Sequence, residues 1–230
     1  MNIQGFQKLT LLDFPGKVAA TVFTGGCNLR CPFCHNATLV LSPTQGESME
    51  TEVLAYLSQR KKLLDGVCVT GGEPLLQPDL LAFISRVKEL GLAVKLDTNG
   101  SLPKRLGEIL SKGLVDYVAM DIKSSPKGYA RAIGCDTEFS LFEESIRILR
   151  KSGLPHEFRT TAVKGIHSEE DFAEIAKLVG NSPYYIQRFV DSGNLLGTGC
   201  SAFSEQESQA LLRVARAYAP QTMLRGLDET

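Results

Sequence analysis

The chain has 230 residues, a formal net charge of −1 and 43% hydrophobic residues. This length fits one large domain with a sizeable core, and the balanced charge gives no clustered basic face, so we expect no nucleic-acid partner. No stretch approaches the ~18 consecutive apolar residues of a membrane span, and residues 1–5 lack the basic start of a signal peptide. We therefore expect a cytoplasmic protein with no membrane partner.

Apolar, β-branched runs alternate along the chain with longer helical patterns. Several of the runs are almost continuously apolar, as is typical of parallel strands covered on both faces, and most of the helical patterns stop at a glycine. The predicted strands are Val18–Phe23, Val67–Thr70, Ala93–Asp97, Tyr117–Ile122, Glu157–Val163 and Tyr184–Phe189. The predicted helices are Glu50–Leu64, Asp79–Leu90, Pro103–Lys112, Glu138–Lys151, Ser168–Val179 and Ser204–Tyr218.

This alternation predicts an α/β protein built on a parallel sheet with right-handed crossovers. A partial (β/α)6 barrel and a doubly wound open sheet both fit the pattern. In either architecture, the chemistry belongs at the carboxyl ends of the strands. No linker or internal repeat divides the chain, so we expect residues 1–230 to form a single domain.

Three of the six cysteines lie within eight residues of one another, directly after the first predicted strand. Cys27, Cys31 and Cys34 have the spacing C-x3-C-x2-C, which favours a metal site over disulfides. Thiolates bind iron–sulfur clusters and structural zinc, and three thiolates on a four-iron cluster leave one iron open for a reactant. The alternative is a zinc site with His35 as fourth ligand. Zinc is disfavoured because His35 adjoins Cys34, and adjacent side chains are hard to aim at one tetrahedral ion.

Polar groups also follow the second, third and fourth predicted strands. The segment Gly71–Glu73 follows the second strand: its glycines leave the backbone open to a ligand, and the Glu73 carboxylate can accept a salt bridge from an ammonium. Asp97 ends the third strand, and Asp121 and Lys123 end the fourth. Because parallel strands end at a common rim, these groups are expected to share one site with the cysteine loop.

Together these motifs resemble the radical SAM superfamily, whose members use S-adenosylmethionine (SAM), and the resemblance covers most of the chain. It implies a partial (β/α)6 TIM-like barrel of the radical SAM type. It also implies one [4Fe–4S] cluster on the three clustered cysteines, with the fourth iron chelated by SAM. Gly71, Gly72 and Glu73 would hold the methionine ammonium, and Phe33 would lie near the adenine. The residues assigned to SAM and its surroundings are Phe33, Gly71, Gly72, Glu73, Asp97, Thr98, Asp121, Lys123 and Arg159.

Within the superfamily, the chain resembles the activases of glycyl radical enzymes. The segments that carry this likeness are Asp13–Gly16, Cys34–Asn36, Asp97–Gly100 and Asp121–Lys123. The two end segments, Phe6–Lys17 and Arg225–Asp228, resemble the group that activates anaerobic ribonucleoside-triphosphate reductase. The resemblance implies reductive cleavage of SAM to a 5′-deoxyadenosyl radical, which takes hydrogen from a glycine of that partner enzyme. A flavodoxin or ferredoxin would supply the electron.

The resemblance also implies roles for the charged residues at the rim. In formate-lyase activases, residues matching Asp97 and Asp121 help form a monovalent-cation site beside the SAM carboxylate, and those matching Lys123 and Arg159 line the SAM site. Gln187 stands where that group has a histidine, which puts the role of the sixth strand in doubt. The stretch between residues 36 and 66 has no cysteine, so no auxiliary ferredoxin-like insert is expected. Cys68, Cys135 and Cys200 are interpreted as packing residues.

Three alternatives remain open at this point. The partner could be another glycyl radical enzyme such as formate lyase, or the chain could act on a small molecule, as a deazapurine synthase does. An iron–sulfur electron carrier is the third, although it would not need Glu73, Asp97 or Lys123. For a protein partner, the segment Tyr184–Leu196 is expected beside the opening through which the glycine approaches, with Asp191–Asn194 as a flexible turn.

Overall fold

The computed structural model describes residues 1–41, 49–191 and 193–226. The strands are β1 Ile3–Thr10, β2 Ala19–Thr24, β3 Gly66–Gly71, β4 Ala93–Thr98, β5 Tyr117–Asp121, β6 His156–Lys164, β7 Tyr184–Arg188, β8 Ser201–Ala202 and β9 Thr222–Arg225. The α-helices are α1 Ala37–Leu41, α2 Glu50–Arg60, α3 Leu80–Glu89, α4 Pro103–Ser111, α5 Tyr129–Ile133, α6 Phe139–Ser152, α7 Glu169–Val179 and α8 Glu205–Arg216, with a 3-10 turn at Pro74–Leu76. Ser192, which belongs to the predicted turn Asp191–Asn194, lies outside the described residues. So do residues 227–230, which include the end of the segment Arg225–Asp228.

One sheet runs through the described residues, and its central strands follow chain order. Strands β2 to β7 pair in parallel with their neighbours, and β9 adds a further parallel strand beside β7. At the other edge, β1 pairs antiparallel with β2, and the short β8 pairs with β6. This alternation of parallel strands and helices confirms the partial TIM-like barrel.

Three strands were missing from the sequence prediction, and each lacks a continuous apolar run. Strand β1 exposes Gln7, Lys8 and Leu9 in succession, as an edge strand can. Strand β8 has two residues, and in β9 only Thr222 is buried. Hydrophobic periodicity cannot identify strands this short or this exposed.

The sheet is apolar on its outer face and polar within the barrel. Along β4, Val94 and Leu96 are fully buried in the hydrophobic core. The alternate residues Lys95 and Asp97 pair with each other instead, because successive side chains of a strand point to opposite faces. Charged groups are thereby carried into the barrel interior. No helix within the described ranges has the length and apolar character needed to cross a membrane.

Candidate active site

A pocket opens at the carboxyl ends of the parallel strands, below the loop that follows β2. Of the twelve residues singled out in the sequence, eleven line it and Glu73 alone does not. The eleven are Cys27, Cys31, Phe33, Cys34, Gly71, Gly72, Asp97, Thr98, Asp121, Lys123 and Arg159.

The cysteine loop is held in place mainly by backbone hydrogen bonds to distant segments. The Gly25 N–H donates to the Asn2 carbonyl at 3.0 Å, and the Arg30 N–H donates to the Ile133 carbonyl at 2.8 Å. The Gly25 carbonyl in turn accepts from the Gln77 side-chain amide at 2.9 Å. The loop is thus tied to the N-terminal strand, to α5 and to the turn after β3, so its conformation depends on the whole upper rim.

The three thiols share the pocket, and Cys31 is the buried one. Burial raises the pKa of Cys27, and it raises the pKa of Cys31 to about 12 even though Lys123 acts in the opposite direction. A positively charged metal centre must therefore displace the thiol protons on binding. The Cys27 sulfur accepts from the Leu29 N–H at 3.4 Å and from the Asn99 amide at 3.8 Å, and such bonds to sulfur adjust the potential of a bound cluster.

The donor set fits an iron–sulfur cluster. Three soft thiols can hold three irons of a cubane and leave the fourth to an exchangeable ligand, and Cys27, Cys31 and Cys34 are the cysteines that line the pocket described here. Within the described ranges, no group of three or more histidine, cysteine or acidic side chains is close enough to hold a single metal ion. The fit to a cluster depends instead on the thiols' chemistry and on their shared pocket.

The two glycines of the turn after β3 are required by close backbone contact. A Cβ on Gly72 would lie 2.0 Å from the Gly26 carbonyl oxygen, and a Cβ on Gly71 would lie 2.4 Å from the Thr24 nitrogen. Gly71 also has a φ of +112°, which side-chain-bearing residues rarely adopt. Only glycine lets this turn and the cysteine loop touch, and the contact brings main-chain groups of both to the pocket.

Glu73 lies behind the pocket wall. Its side chain is fully buried and accepts from the Leu75 N–H at 3.0 Å, the Thr98 hydroxyl at 2.8 Å and the Asn99 N–H at 2.7 Å. Burial raises the pKa of this carboxyl to about 7, against the lowering effect of the Asn99 and Thr98 hydrogen bonds. The carboxylate thus joins the turn after β3 to the end of β4, and a direct contact with the SAM ammonium stays a prediction.

Two aspartates and three basic residues form a charged network on the pocket floor. Arg159 bridges the aspartates: its Nε donates to Asp121 Oδ1 at 2.8 Å and its Nη1 to Asp97 Oδ2 at 3.1 Å. Lys123 Nζ donates to Asp121 Oδ2 at 2.9 Å, and Lys95 Nζ donates to Asp97 Oδ1. Burial raises the pKa of each aspartate, but the neighbouring cations outweigh it and hold both below the ordinary range. The five groups carry a net charge of +1, which suits a carboxylate ligand.

Sequence reasoning missed two residues that support this floor. Lys95 lies two positions before Asp97 on β4, and the period of two was the available signal that both face the barrel interior. His167 accepts from the Val163 N–H at 3.0 Å, is 2.7 Å from the Lys123 carbonyl and packs edge-on against Phe33 with ring centroids 6.1 Å apart. Nothing in the sequence marks this histidine, because its partners come from three separate segments.

A family profile described as "Radical SAM superfamily" matches residues 21–179, which include both the cysteine loop and the charged floor. The chain belongs to the radical SAM superfamily. SAM and a [4Fe–4S] cluster are the cofactors of that superfamily, and the pocket residues fit both.

Curated relatives show which group within the radical SAM superfamily the chain belongs to. The chain is 32% identical, over 99% of its length and 97% of the relative's, to a protein of Methanocaldococcus jannaschii provisionally named a glycyl-radical enzyme activating enzyme. It is 31% identical to the pyruvate formate-lyase-activating enzyme of Clostridium pasteurianum, covering 78% of this chain and 76% of the relative. It is also 30% identical to a 7-carboxy-7-deazaguanine synthase of Methanopyrus kandleri, covering 78% and 85%. The near-complete first match places the chain in the glycyl-radical enzyme activating family, and the chain is an enzyme of that class.

Solved structures agree on the fold. A radical SAM methyltransferase from Sphaerobacter thermophilus superimposes with a TM-score of 0.72 at 13% identity, covering 94% of this chain and 68% of that protein.

Proposed function

We propose that this chain activates anaerobic ribonucleoside-triphosphate reductase by removing a hydrogen atom from one glycine of that enzyme. The observation that carries the proposal is that the three thiols line one pocket together with the cations Lys123 and Arg159. When bound, the cluster and SAM supply the 5′-deoxyadenosyl radical by one-electron cleavage of the sulfonium bond. The protein's part is to bind, to orient and to exclude water.

The pocket residues divide this work by position. The Cys27, Cys31 and Cys34 thiolates would hold three irons and leave the fourth for the amino and carboxylate groups of SAM. Lys123 and Arg159 line the pocket beside the thiols and would attract that carboxylate, since these two cations and Lys95 together carry one positive charge more than Asp97 and Asp121. A ligand held on one side by the cluster and on the other by fixed cations keeps one orientation.

The adenine would lie near Phe33, which is 4% exposed. The His167 ring packs edge-on against the Phe33 ring and supports this wall of the pocket. An apolar wall keeps water away from a reactive carbon, as the proposed radical chemistry requires.

The loop after β7 contacts the cysteine loop, and its position favours a protein as the substrate. The Gly197 N–H donates to the Pro32 carbonyl at 2.8 Å, and the Asn194 amide donates to the Thr38 hydroxyl at 3.3 Å. The Phe189 ring stacks on His35 with centroids 5.5 Å apart. A primary carbon radical reacts before it can diffuse, so a glycine from another chain must enter the pocket, and we propose that it does so beside this loop.

Two further parts of the proposal concern the electron donor and the domain. Each SAM cleavage consumes one electron, and we propose a flavodoxin or ferredoxin as its source. We also propose that residues 1–230 act as one domain without an auxiliary cluster. The continuous sheet from β1 to β9 and the absence of cysteine between residues 36 and 66 support this view.

Electron paramagnetic resonance tests the proposal. The reconstituted protein is incubated anaerobically with SAM, dithionite and either anaerobic ribonucleoside-triphosphate reductase or pyruvate formate-lyase. We expect a glycyl doublet with the reductase, none with the lyase, and none with either partner when Cys34→Ala replaces the wild type. A doublet with the lyase alone would reassign the partner.

The deazaguanine synthase relative makes a small-molecule reaction the second candidate. It predicts SAM cleavage coupled to formation of a small product, with no radical on either protein. Measuring 5′-deoxyadenosine in the same incubations, and in incubations with an added small-molecule substrate, separates the two candidates. The activase proposal is wrong if 5′-deoxyadenosine accumulates without any glycyl doublet and the small molecule stimulates its formation.

A further inference from the structure

Lys95 is the most deeply buried of the three basic residues in the floor network. It lies in β4 with 2% of its side chain exposed, and its Nζ donates to Asp97 Oδ1. Its other polar neighbour is the Cys68 sulfur, at 3.8 Å. A buried lysine is costly unless its charge is compensated; Asp97, which lines the pocket, compensates the charge of Lys95, which does not.

The pair changes what the two floor aspartates can still accept. Each of the four carboxylate oxygens already accepts a hydrogen bond from a cation. Lys95 and Arg159 donate to Asp97. Arg159 and Lys123 donate to Asp121. Two negative charges therefore face three positive ones. A sodium or potassium ion placed between the aspartates would have to displace these donors and would meet their repulsion. The site does not fit the monovalent cation that the resemblance to formate-lyase activases implies.

We propose that the Lys95 ammonium takes the place of that cation, so that this chain binds SAM without added sodium or potassium. The ammonium carries the same single charge and occupies one Asp97 oxygen, while Arg159 occupies the other. Lys95 is thus a positioning residue: it lies beneath the pocket lining and acts on the ligand through Asp97 and Arg159. The inference depends on the proposed function only in taking the pocket to be the SAM site.

The first experiment uses the chain without cluster, SAM or partner, so its failure is distinct from failure of the proposed activation. Thermal unfolding is followed in potassium, sodium and tetramethylammonium chloride at equal ionic strength. The wild-type midpoint should be the same in all three. Lys95→Met leaves Asp97 one cation short, so potassium or sodium should raise its midpoint by about 2–4 °C, the shift that a single restored charge contact gives a domain of this size.

The matched control is Lys177→Met, which removes an exposed lysine paired with Glu174 on α7. Its midpoint should not respond to the choice of cation. If Lys95→Met folds and is equally insensitive, Lys95 is not the cation substitute.

The second experiment measures SAM affinity after anaerobic reconstitution. For the wild type, the dissociation constant should differ by less than about twofold between potassium and tetramethylammonium salts. For Lys95→Met, it should be at least about tenfold weaker in tetramethylammonium and recover in potassium, as expected for loss and replacement of one charge-assisted contact.

The wild type alone keeps the inference falsifiable if Lys95→Met does not fold. Saturable broadening of the sodium NMR signal by the wild-type protein, reversed by potassium, would overturn it. A SAM affinity that requires potassium in the wild type would do the same. A sodium signal that shows no saturable binding, together with cation-independent SAM affinity, would support it.

Discussion

The barrel interior holds two charged networks, one at each end of the parallel strands. At the amino-terminal end, the Glu157 carboxylate accepts both Arg225 Nη atoms at 2.8 and 2.9 Å and the Tyr117 hydroxyl at 3.0 Å. The Arg225 guanidinium lies 3.3 Å from the centroid of the Tyr185 ring. At the carboxyl end, the floor aspartates and their cations face an open pocket. The same strands therefore carry a closed network and an open one.

The two networks differ in their net charge and in the hydrogen-bonding capacity that remains for a ligand. The bidentate Glu157–Arg225 pair balances one charge with one charge and uses both carboxylate oxygens, so it offers little to a ligand. The floor network has one cation more than its aspartates need, beside three thiols that a metal can deprotonate. A closed network stabilises the barrel, whereas an open one can bind.

The largest expected effect is loss of activity on substitution of the three cysteines at the carboxyl end of the strands. Replacing Cys27, Cys31 or Cys34 by alanine should abolish SAM cleavage, because two thiolates cannot hold the cluster in place. Iron content and 5′-deoxyadenosine release are measured after anaerobic reconstitution. Cys135→Ala and Cys200→Ala serve as controls and should keep both. Retained SAM cleavage in any of the three loop variants would contradict the cluster assignment.

Gly72→Ala should come next in severity. The added methyl would meet the Gly26 carbonyl oxygen at 2.0 Å, and backbone at that distance must move. We expect the cysteine loop to shift and cluster incorporation to fall by most of its wild-type value. Gly107→Ala in α4 is the matched control, since its Cβ has only the Ile148 side chain at 3.9 Å and alanine favours the helix. Normal iron content in Gly72→Ala would show that the two loops move independently.

The Glu73→Gln variant distinguishes a structural role of this carboxyl from a direct contact with SAM. The Glu73 carboxyl has a pKa of about 7 in the fold, because of its burial, against an ordinary value of 4.5 for glutamate, so the folded state holds its proton more tightly than the unfolded state. The stability this gives is present below pH 4.5 and is lost as the pH rises through 7. Relative to Glu73→Gln, the wild type should lose about 3 kcal/mol of unfolding free energy across that range.

Denaturant unfolding of the cluster-free chain at several pH values measures this difference. Parallel pH profiles for the two proteins would contradict it. SAM titration of the reconstituted variant tests the predicted ammonium contact separately. A loss of about tenfold to a hundredfold with the cluster intact is expected if the carboxylate meets the ammonium. An unchanged dissociation constant would leave Glu73 with a supporting role alone.

The smallest effect is expected at the closed end. Arg225→Met strands the Glu157 carboxylate, which is 1% exposed, and should cost about 2 kcal/mol of stability. That is below the ~3–5 kcal/mol typical of broken buried pairs, because the Arg225 side chain is 35% exposed. Adding Glu157→Gln should recover much of the loss, as chemical denaturation can show. SAM affinity should not change in either protein, and a change would mean that the two ends are coupled.

Sequence alone could place most of the pocket because its residues follow consecutive strands. The rim rule for parallel sheets brought Cys34, Gly72, Asp97 and Lys123 together without knowledge of any contact. The edge strand β1 was missed because its exposed residues give no apolar run.

What the sequence could not provide was the direction of individual side chains. Glu73 does not line the pocket, because the Thr98 hydroxyl and two backbone N–H groups hold its buried carboxyl within the fold. Lys95 was passed over because a single lysine in an apolar strand is identified as a partner of Asp97 only once the barrel closes around it. Both outcomes depend on groups brought close by tertiary packing.

The contact between Gly72 and Gly26 limits how this protein can vary. Because main chain meets main chain there, and the Glu73 N–H donates to the Gly26 carbonyl at 2.8 Å, the separation of the cluster loop from the glycine turn is independent of the side chains on either segment. Neighbouring positions are free to diverge without disturbing the alignment of the two cofactors. An insertion between Gly26 and Cys27 would shift the thiols relative to this contact, so the length of this segment is more constrained than its side chains.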